Sequence, residues 1–123
     1  MQIKKPKNSD KYYWTEHVYG KMIQYGISEQ TVRRIVRNPE RIEEGIAPNT
    51  IAVMQTRGKK RKYELWCMYQ IARKTKKHEN TENTGNKLNQ IKIITTWRYP
   101  GVSPKRAHIP IPEEIVDELG IVL

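Results

Sequence analysis

A histidine and a lysine lie one helical turn apart in the segment TEHVYGKMIQYG. In a helix, His17 and Lys21 share a polar face with Gln24, while the opposite face carries an apolar stripe that can dock on a core. A positive charge at Lys21 is expected to lower the pKa of His17 and to favour the neutral imidazole that a general base requires. The pair therefore predicts acid–base chemistry on a phosphate ester. The alternative is a surface histidine without a catalytic task.

The strand-like segment IKIITTWRY carries a second group of candidate residues. Strand alternation places Thr95, Trp97 and Tyr99 on one face. It places Thr96 and Arg98 on the other. A threonine hydroxyl and an arginine fork can hold a phosphate, and Trp97 or Tyr99 can stack on an unpaired base. Which face carries the site stays open, and the alternative role for Trp97 is a core anchor.

The net charge of +10 on 123 residues is large, and its distribution along the chain is uneven. The last twelve residues carry four acids and no base, whereas the segment RGKKRK has five bases in six positions. Such a surplus attracts polyanions, so RNA or another nucleic acid is the expected partner. The expected contacts of this segment are Arg57, Lys59, Lys60, Arg61 and Lys62. The alternative is a solvated basic turn with no partner.

Other kinds of functional site have little support in the sequence. The three histidines, His17, His78 and His108, lie far apart without metal-ligand spacing, and the single Cys67 lies within a strand pattern. Neither a glycine-rich phosphate loop nor a serine nucleophile elbow occurs. We therefore expect no metal and no cofactor. His108 is a weaker second candidate for acid–base work, and His78 falls in a polar loop without an expected role.

Hydrophobic periodicity predicts a single α+β domain over residues 1–123. An N-terminal helical hairpin is expected to pack on a three- to four-stranded antiparallel sheet, followed by a short C-terminal helix. The expected elements are helices at about 14–25, 28–39 and 112–120, and strands at 41–46, 50–56, 63–72 and 91–99. Residues 1–13 are expected to form a flexible basic arm, and residues 73–90 a polar hairpin loop.

The cellular location can also be predicted from the sequence. The N-terminus lacks the apolar region of a secretory signal, and no run approaches the ~18 apolar residues of a membrane span. A lone cysteine is typical of a reducing compartment. An anionic membrane surface is not an expected partner, because the sequence shows no amphipathic basic helix. We therefore expect a cytoplasmic protein.

The three segments HVYGKMIQYGIS, VRRIVRNPERIEEG and IKIITTWRYPG together resemble the RelE/BrnT-like branch of the barnase–EndoU–colicin–RelE superfamily. The resemblance covers roughly residues 14–99 without the loop at 73–90. It implies a helical hairpin on an antiparallel sheet and a metal-independent, toxin-type ribonuclease. The site residues that it implies are His17, Lys21, Thr95, Arg98 and Tyr99.

These observations lead to three functional hypotheses. The first is an endoribonuclease that cleaves single-stranded RNA, in which His17 is the general acid–base, Lys21 and Arg98 stabilise charge, and Thr95 positions the phosphate. The second is a non-catalytic nucleic-acid-binding module. The third is a toxin-like subunit that is bound by an acidic antitoxin partner. Whether the acidic C-terminal helix covers the basic site stays open.

Overall fold

A five-stranded mixed sheet lies between two N-terminal helices and a short C-terminal helix in the computed structural model, which describes residues 3–73, 89–105 and 108–121. The elements are β1 (Tyr12–Trp14), α1 (Glu16–Tyr25), α2 (Glu29–Arg37), β2 (Arg41–Glu44), β3 (Thr50–Arg57), β4 (Tyr63–Arg73), β5 (Asn89–Pro100) and α3 (Glu113–Leu119). The α+β class predicted from the sequence is confirmed.

The strand order β1-β5-β4-β3-β2 differs from the predicted antiparallel sheet of three or four strands. The strands from β2 to β5 are antiparallel neighbours, but β1 pairs in parallel with β5, from Tyr12 opposite Ile91 to Trp14 opposite Ile93. The prediction of a flexible arm over residues 1–13 is wrong at Tyr12 and Tyr13, because both belong to β1 and Tyr12 is buried. A strand of three residues has too little periodicity to be recognised, and its partner lies far along the chain.

Both helices of the hairpin begin at a side-chain cap. The Thr15 hydroxyl accepts a hydrogen bond from the Val18 amide at 3.1 Å, and Gly26 ends α1 in the left-handed conformation. The Ser28 hydroxyl accepts from the Thr31 amide at 3.2 Å and begins α2. The buried residues of α1 and α2 pack on one face of the sheet, which we call the hairpin face.

The opposite face of the sheet, which we call the α3 face, is covered by α3 and by the chain that leads to it. Its core contains Trp66 and Trp97, whose rings stack with centroids 5.8 Å apart and an interplanar angle of 2°. Ile115 of α3 packs into the same cluster. The central stretch of β4, residues 64–68, is buried throughout, because the sheet is covered on both faces.

A buried carboxylate fastens the segment after β5 to the α3 face. Glu64 accepts hydrogen bonds from the Ser103 amide at 2.9 Å, from the Ser103 hydroxyl at 2.7 Å and from Trp66 Nε1 at 2.9 Å. The guanidinium of Arg41 donates to the Ser103 hydroxyl at 2.9 Å and lies 5.2 Å from the Trp66 ring. These bonds satisfy a group that would be costly to bury alone.

Two element boundaries differ from the prediction. Arg73, Asn89 and Gln90, which were predicted to belong to a polar loop at 73–90, belong to β4 and β5, and residues 74–88 lie outside the described part of the chain. Pro112 occupies the N-cap position of α3 rather than its first turn. No helix within 3–73, 89–105 and 108–121 is long and apolar enough to cross a membrane.

Candidate functional site

The start of α1 is fixed against β5 at the point where β1 ends. The Thr15 hydroxyl oxygen lies 3.1 Å from the carbonyl oxygens of both Ile93 and Ile94, and the Thr15 amide donates to Ile93 at 3.4 Å. The register of β4 and β5 shifts here, since Met68 pairs with Thr95 and the next residue pairs with Ile93. Ile94 is thus the extra residue of a bulge in β5. The helix α1 lies along the edge of the sheet on the far side of this bulge from β1.

This arrangement brings His17 and Thr95 into contact. His17 Nε2 lies 2.9 Å from Thr95 Oγ1, a hydrogen-bonding distance whose donor depends on the tautomer of the imidazole. Thr95 is fully buried, whereas 20% of the His17 side chain is exposed. The neighbouring Thr96 points to the other face and donates to the Trp66 carbonyl at 2.6 Å. Of the two threonines left open by the sequence, Thr95 is the one beside His17.

Lys21 lies in the same region, but its charge is held by two carboxylates of α3. Its ammonium is 2.7 Å from Glu118 and 3.7 Å from Glu114, and it donates to Gln24 at 2.8 Å. Gln24 in turn donates to Glu114 at 2.8 Å. Burial alone would lower the pKa of Lys21, but the hydrogen bond to Glu118 and the charges of both glutamates raise it above its ordinary value. Lys21 is only 5% exposed.

The pKa of His17 is lowered from its ordinary value, and the sequence predicted only part of the cause. Burial is the largest cause of the lowering. The carboxylate of Glu118, 3.8 Å from Nδ1, opposes it, and the charge of Lys21 lowers the pKa further. The lowered pKa favours the neutral imidazole of His17, the form that general-base chemistry requires.

Arg98 does not join this group. It pairs with Leu65, whose side chain is in the core of the hairpin face, and its guanidinium lies 5.0 Å from the Tyr63 ring. Thr95 pairs with Met68, which is in the core of the α3 face. The assignment of Arg98 and Thr95 to one site is wrong, because the two side chains leave β5 on opposite faces.

The two aromatic candidates on β5 are structural. Trp97 is fully buried against Trp66, so the prediction that Trp97 stacks on a nucleic-acid base is wrong. Tyr99 is half-buried and packs against the same core. It pairs with Glu64, four residues along the strand from Thr95, so it lies away from the pair formed with His17.

A second polar region lies at the end of the sheet where β3 and β4 are joined. Gly58 has a φ of +96°, and a Cβ at this position would meet the carbonyl of Arg61, so the turn depends on glycine. The residues from Lys59 to Lys62 are all exposed. Arg57 and Arg98 lie beside this turn, on strands that are both paired with β4.

The C-terminal end of α2 is held against the same region by Gln55. The side-chain nitrogen of Gln55 donates to the Asn38 carbonyl at 2.7 Å and to the Arg34 carbonyl at 3.4 Å. The side-chain oxygen of Gln55 accepts a hydrogen bond from the Arg57 guanidinium at 3.0 Å. The last turn of α2 supplies two exposed arginines, Arg34 and Arg37. We call the whole set the basic surface: Arg34, Arg37, Arg57, Lys59, Lys60, Arg61, Lys62 and Arg98.

No member of the basic surface forms an ion pair with another residue in the part of the chain that the structure describes. Arg33, by contrast, pairs with Glu29 at 3.4 Å and lies 5.1 Å from the Tyr12 ring. Arg33, Arg34 and Arg37 all lie on α2, but only the structure shows which of them join the turn after β3. Nothing in the sequence singled out Gln55, whose function follows from contacts across elements.

The remaining candidates lie elsewhere. His108 is exposed and lines a groove beside α3, and His78 falls outside the described residues. Cys67 is buried in the core of the hairpin face, and this burial raises the pKa of its thiol. Among the described residues, no group of three or more His, Cys, Asp or Glu side chains could hold a metal ion.

Comparison of the chain with profiles of known protein families, with curated proteins and with solved structures finds no match.

The titration of His17 tests the electrostatics of its site. Because the charge of Glu118 raises the pKa of His17 and burial lowers it, Glu118→Gln is expected to lower that pKa further. Glu114→Gln is the matched control, since Glu114 contacts Lys21 but not His17. The measurement is an NMR titration of the imidazole, assigned with His17→Gln. A wild-type pKa at or above the ordinary value, or an equal response to both variants, would contradict this geometry.

Proposed function

We propose that this protein binds nucleic acid through the basic surface, and that single-stranded RNA is its ligand. The observation that supports the proposal most is that α2, the turn after β3 and the end of β5 contribute unpaired cations to one region. Adjacent cations that form no ion pairs raise the local concentration of phosphate and release counterions when they bind it.

Two features support a single strand as the ligand. The ring of Tyr63 and the guanidinium of Arg98 lie together at 5.0 Å. Aromatic rings and guanidinium planes are the groups on which unpaired bases stack. The cations come from a helix end, a turn and a strand, and this irregular arrangement suits a flexible backbone better than a regular groove.

The region around His17 supports phosphate binding less well. The carboxylates of Glu114 and Glu118 neutralise Lys21, and Glu118 also lies beside His17, so an incoming phosphate meets negative charge. Arg98, the second cation of the predicted catalytic group, projects from the other face of β5. Binding at the basic surface therefore does not require the His17 region.

Ribonuclease activity is the second candidate function, and the contact between His17 and Thr95 favours it. A neutral imidazole held by a buried hydroxyl is a suitable base for the 2′-hydroxyl proton of RNA. Charge stabilisation at the phosphate would require Lys21 to leave Glu118 and turn to the substrate.

The salt dependence of RNA binding tests the first proposal. For single strands, the slope of log Kd against log salt falls by about 0.7 for each phosphate that the protein no longer neutralises, so Lys59→Ala with Lys60→Ala is expected to reduce it by roughly 1.4. The measurement is fluorescence anisotropy of a labelled single-stranded RNA between about 50 mM and 200 mM salt. Lys4→Ala with Lys7→Ala is the matched control, because these exposed lysines lie outside the basic surface. Equal slopes for the two double variants would refute the proposal.

Cleavage of the same RNA tests the second candidate. If His17 is the general base, His17→Ala is expected to reduce the cleavage rate by about 10²–10⁴-fold while RNA affinity is unchanged. The assay contains EDTA, and the products are expected to end in 2′,3′-cyclic phosphate. Thr95→Val removes the hydroxyl that contacts the imidazole and should also slow the reaction. Wild-type protein that binds RNA without cleaving it, or a fully active His17→Ala variant with an intact circular dichroism spectrum, would exclude this function.

A further inference from the structure

A groove of about 1020 Å³ runs between α3 and the chain that leaves β2. Its aliphatic lining consists of Ile46, Ile109, Ile111, Val116 and Ile121. Ile109 and Val116 are buried and form its base, while the three other aliphatic residues are partly exposed. Pockets for small molecules have volumes of about 300–1,000 Å³ and enclose most of the ligand, so an open groove at the upper end of this range suits a peptide segment.

Acidic side chains line the same groove. Glu113 and Asp117 lie one turn apart on α3, and Glu44 lies across from them at the end of β2. These three are exposed and form no ion pair within residues 3–73, 89–105 and 108–121, whereas the fourth carboxylate of the lining, Glu43, pairs with Arg41 at 2.6 Å. The other acidic pair of α3, Glu114 and Glu118, is bound to Lys21. One side of α3 therefore presents unpaired negative charge, although the whole chain carries +10.

The charges select the kind of occupant. Repulsion by the three carboxylates excludes nucleic acid from the groove, whereas lysine and arginine side chains complement them. The aliphatic base requires apolar side chains in the same segment. A segment that meets both demands has aliphatic residues interleaved with basic ones.

The groove and the basic surface are separated in the fold. The groove lies on the α3 face, beside the chain that enters β3 near Thr50. The basic surface lies at the other end of β3, around Arg57, where α2 contacts the strand. A ligand on either region leaves the other free.

We propose that this groove binds a cationic, aliphatic segment of a partner protein. The interaction would be independent of the basic surface. The protein would thereby join a nucleic acid at one end of the sheet to a basic protein segment at the other.

The probe for this proposal is a fluorescein-labelled synthetic peptide of alternating leucine and lysine, titrated with the full-length protein and followed by anisotropy. We expect binding that weakens with salt, and we expect Glu113→Lys with Asp117→Lys to weaken it about tenfold. Glu16→Lys with Glu40→Lys is the control with the same change in net charge, since both residues are exposed outside the groove. This control variant should bind the peptide as wild type does.

A milder variant guards against loss of the fold, because a lysine at position 113, in the first turn of α3, opposes the helix dipole. Glu113→Gln with Asp117→Asn keeps side-chain size, and it should also weaken binding. Peptides in which serine replaces leucine, or glutamate replaces lysine, should bind more weakly than the leucine–lysine peptide.

Three results would overturn the proposal. The first is equal loss of peptide binding in the groove variants and in the control. The second is equal binding of the three peptides. The third is a dimer in sedimentation experiments that the groove variants dissociate, because the occupant would then be a second copy of this chain.

Discussion

Burial of the sheet on both faces is the constraint on which the rest of the structure depends. The helical hairpin covers one face of β4 and α3 covers the other, so even Glu64, the second residue of the strand, is completely buried. Polar chemistry is thereby confined to the turns, the strand ends and the margins of the sheet. The Glu64 carboxylate is tolerated in the interior because the amide and hydroxyl of Ser103 and the indole of Trp66 satisfy it.

The same constraint places the basic and the acidic side chains in different parts of the molecule. Basic residues collect where β3 and β4 join, and the end of α2 is held there by Gln55. Acidic residues of α3 divide into one pair that binds Lys21 and a second pair that lines the groove. The molecule with a net charge of +10 therefore has one positively and one negatively charged region, and its positive charge is not spread evenly over its exterior.

Much of this arrangement could be predicted from the sequence because it depends on local signals. Thr15, Ser28 and Gly26 mark the helix ends through capping chemistry, and the long strands show their alternation. The proximity of His17 and Thr95 was expected only from the resemblance to toxin-type ribonucleases, because the contact joins elements that are far apart along the chain. The strand β1 was missed because three residues have almost no periodicity and pair with a distant strand.

The functional assignments that failed depend on side-chain direction. Alternation along β5 already separated Thr95 from Arg98, but the resemblance to toxin-type ribonucleases joined them in one site. Trp97 could equally be a core residue or a stacking platform until the position of Trp66 was known. The bonds of Glu114 and Glu118 to Lys21 are also contacts between distant elements, although their spacing on α3 gave a signal that a basic residue would face them.

We propose that nucleic acid contacts the end of the sheet where β3 and β4 join. A ¹H–¹⁵N chemical-shift map of the full-length protein titrated with a single-stranded RNA tests this proposal. We expect the shifts to cluster between Arg57 and Tyr63, at the last turn of α2 and around Arg98, while α3 is unaffected. Shifts concentrated at His17 and α3, with an unperturbed turn after β3, would contradict it.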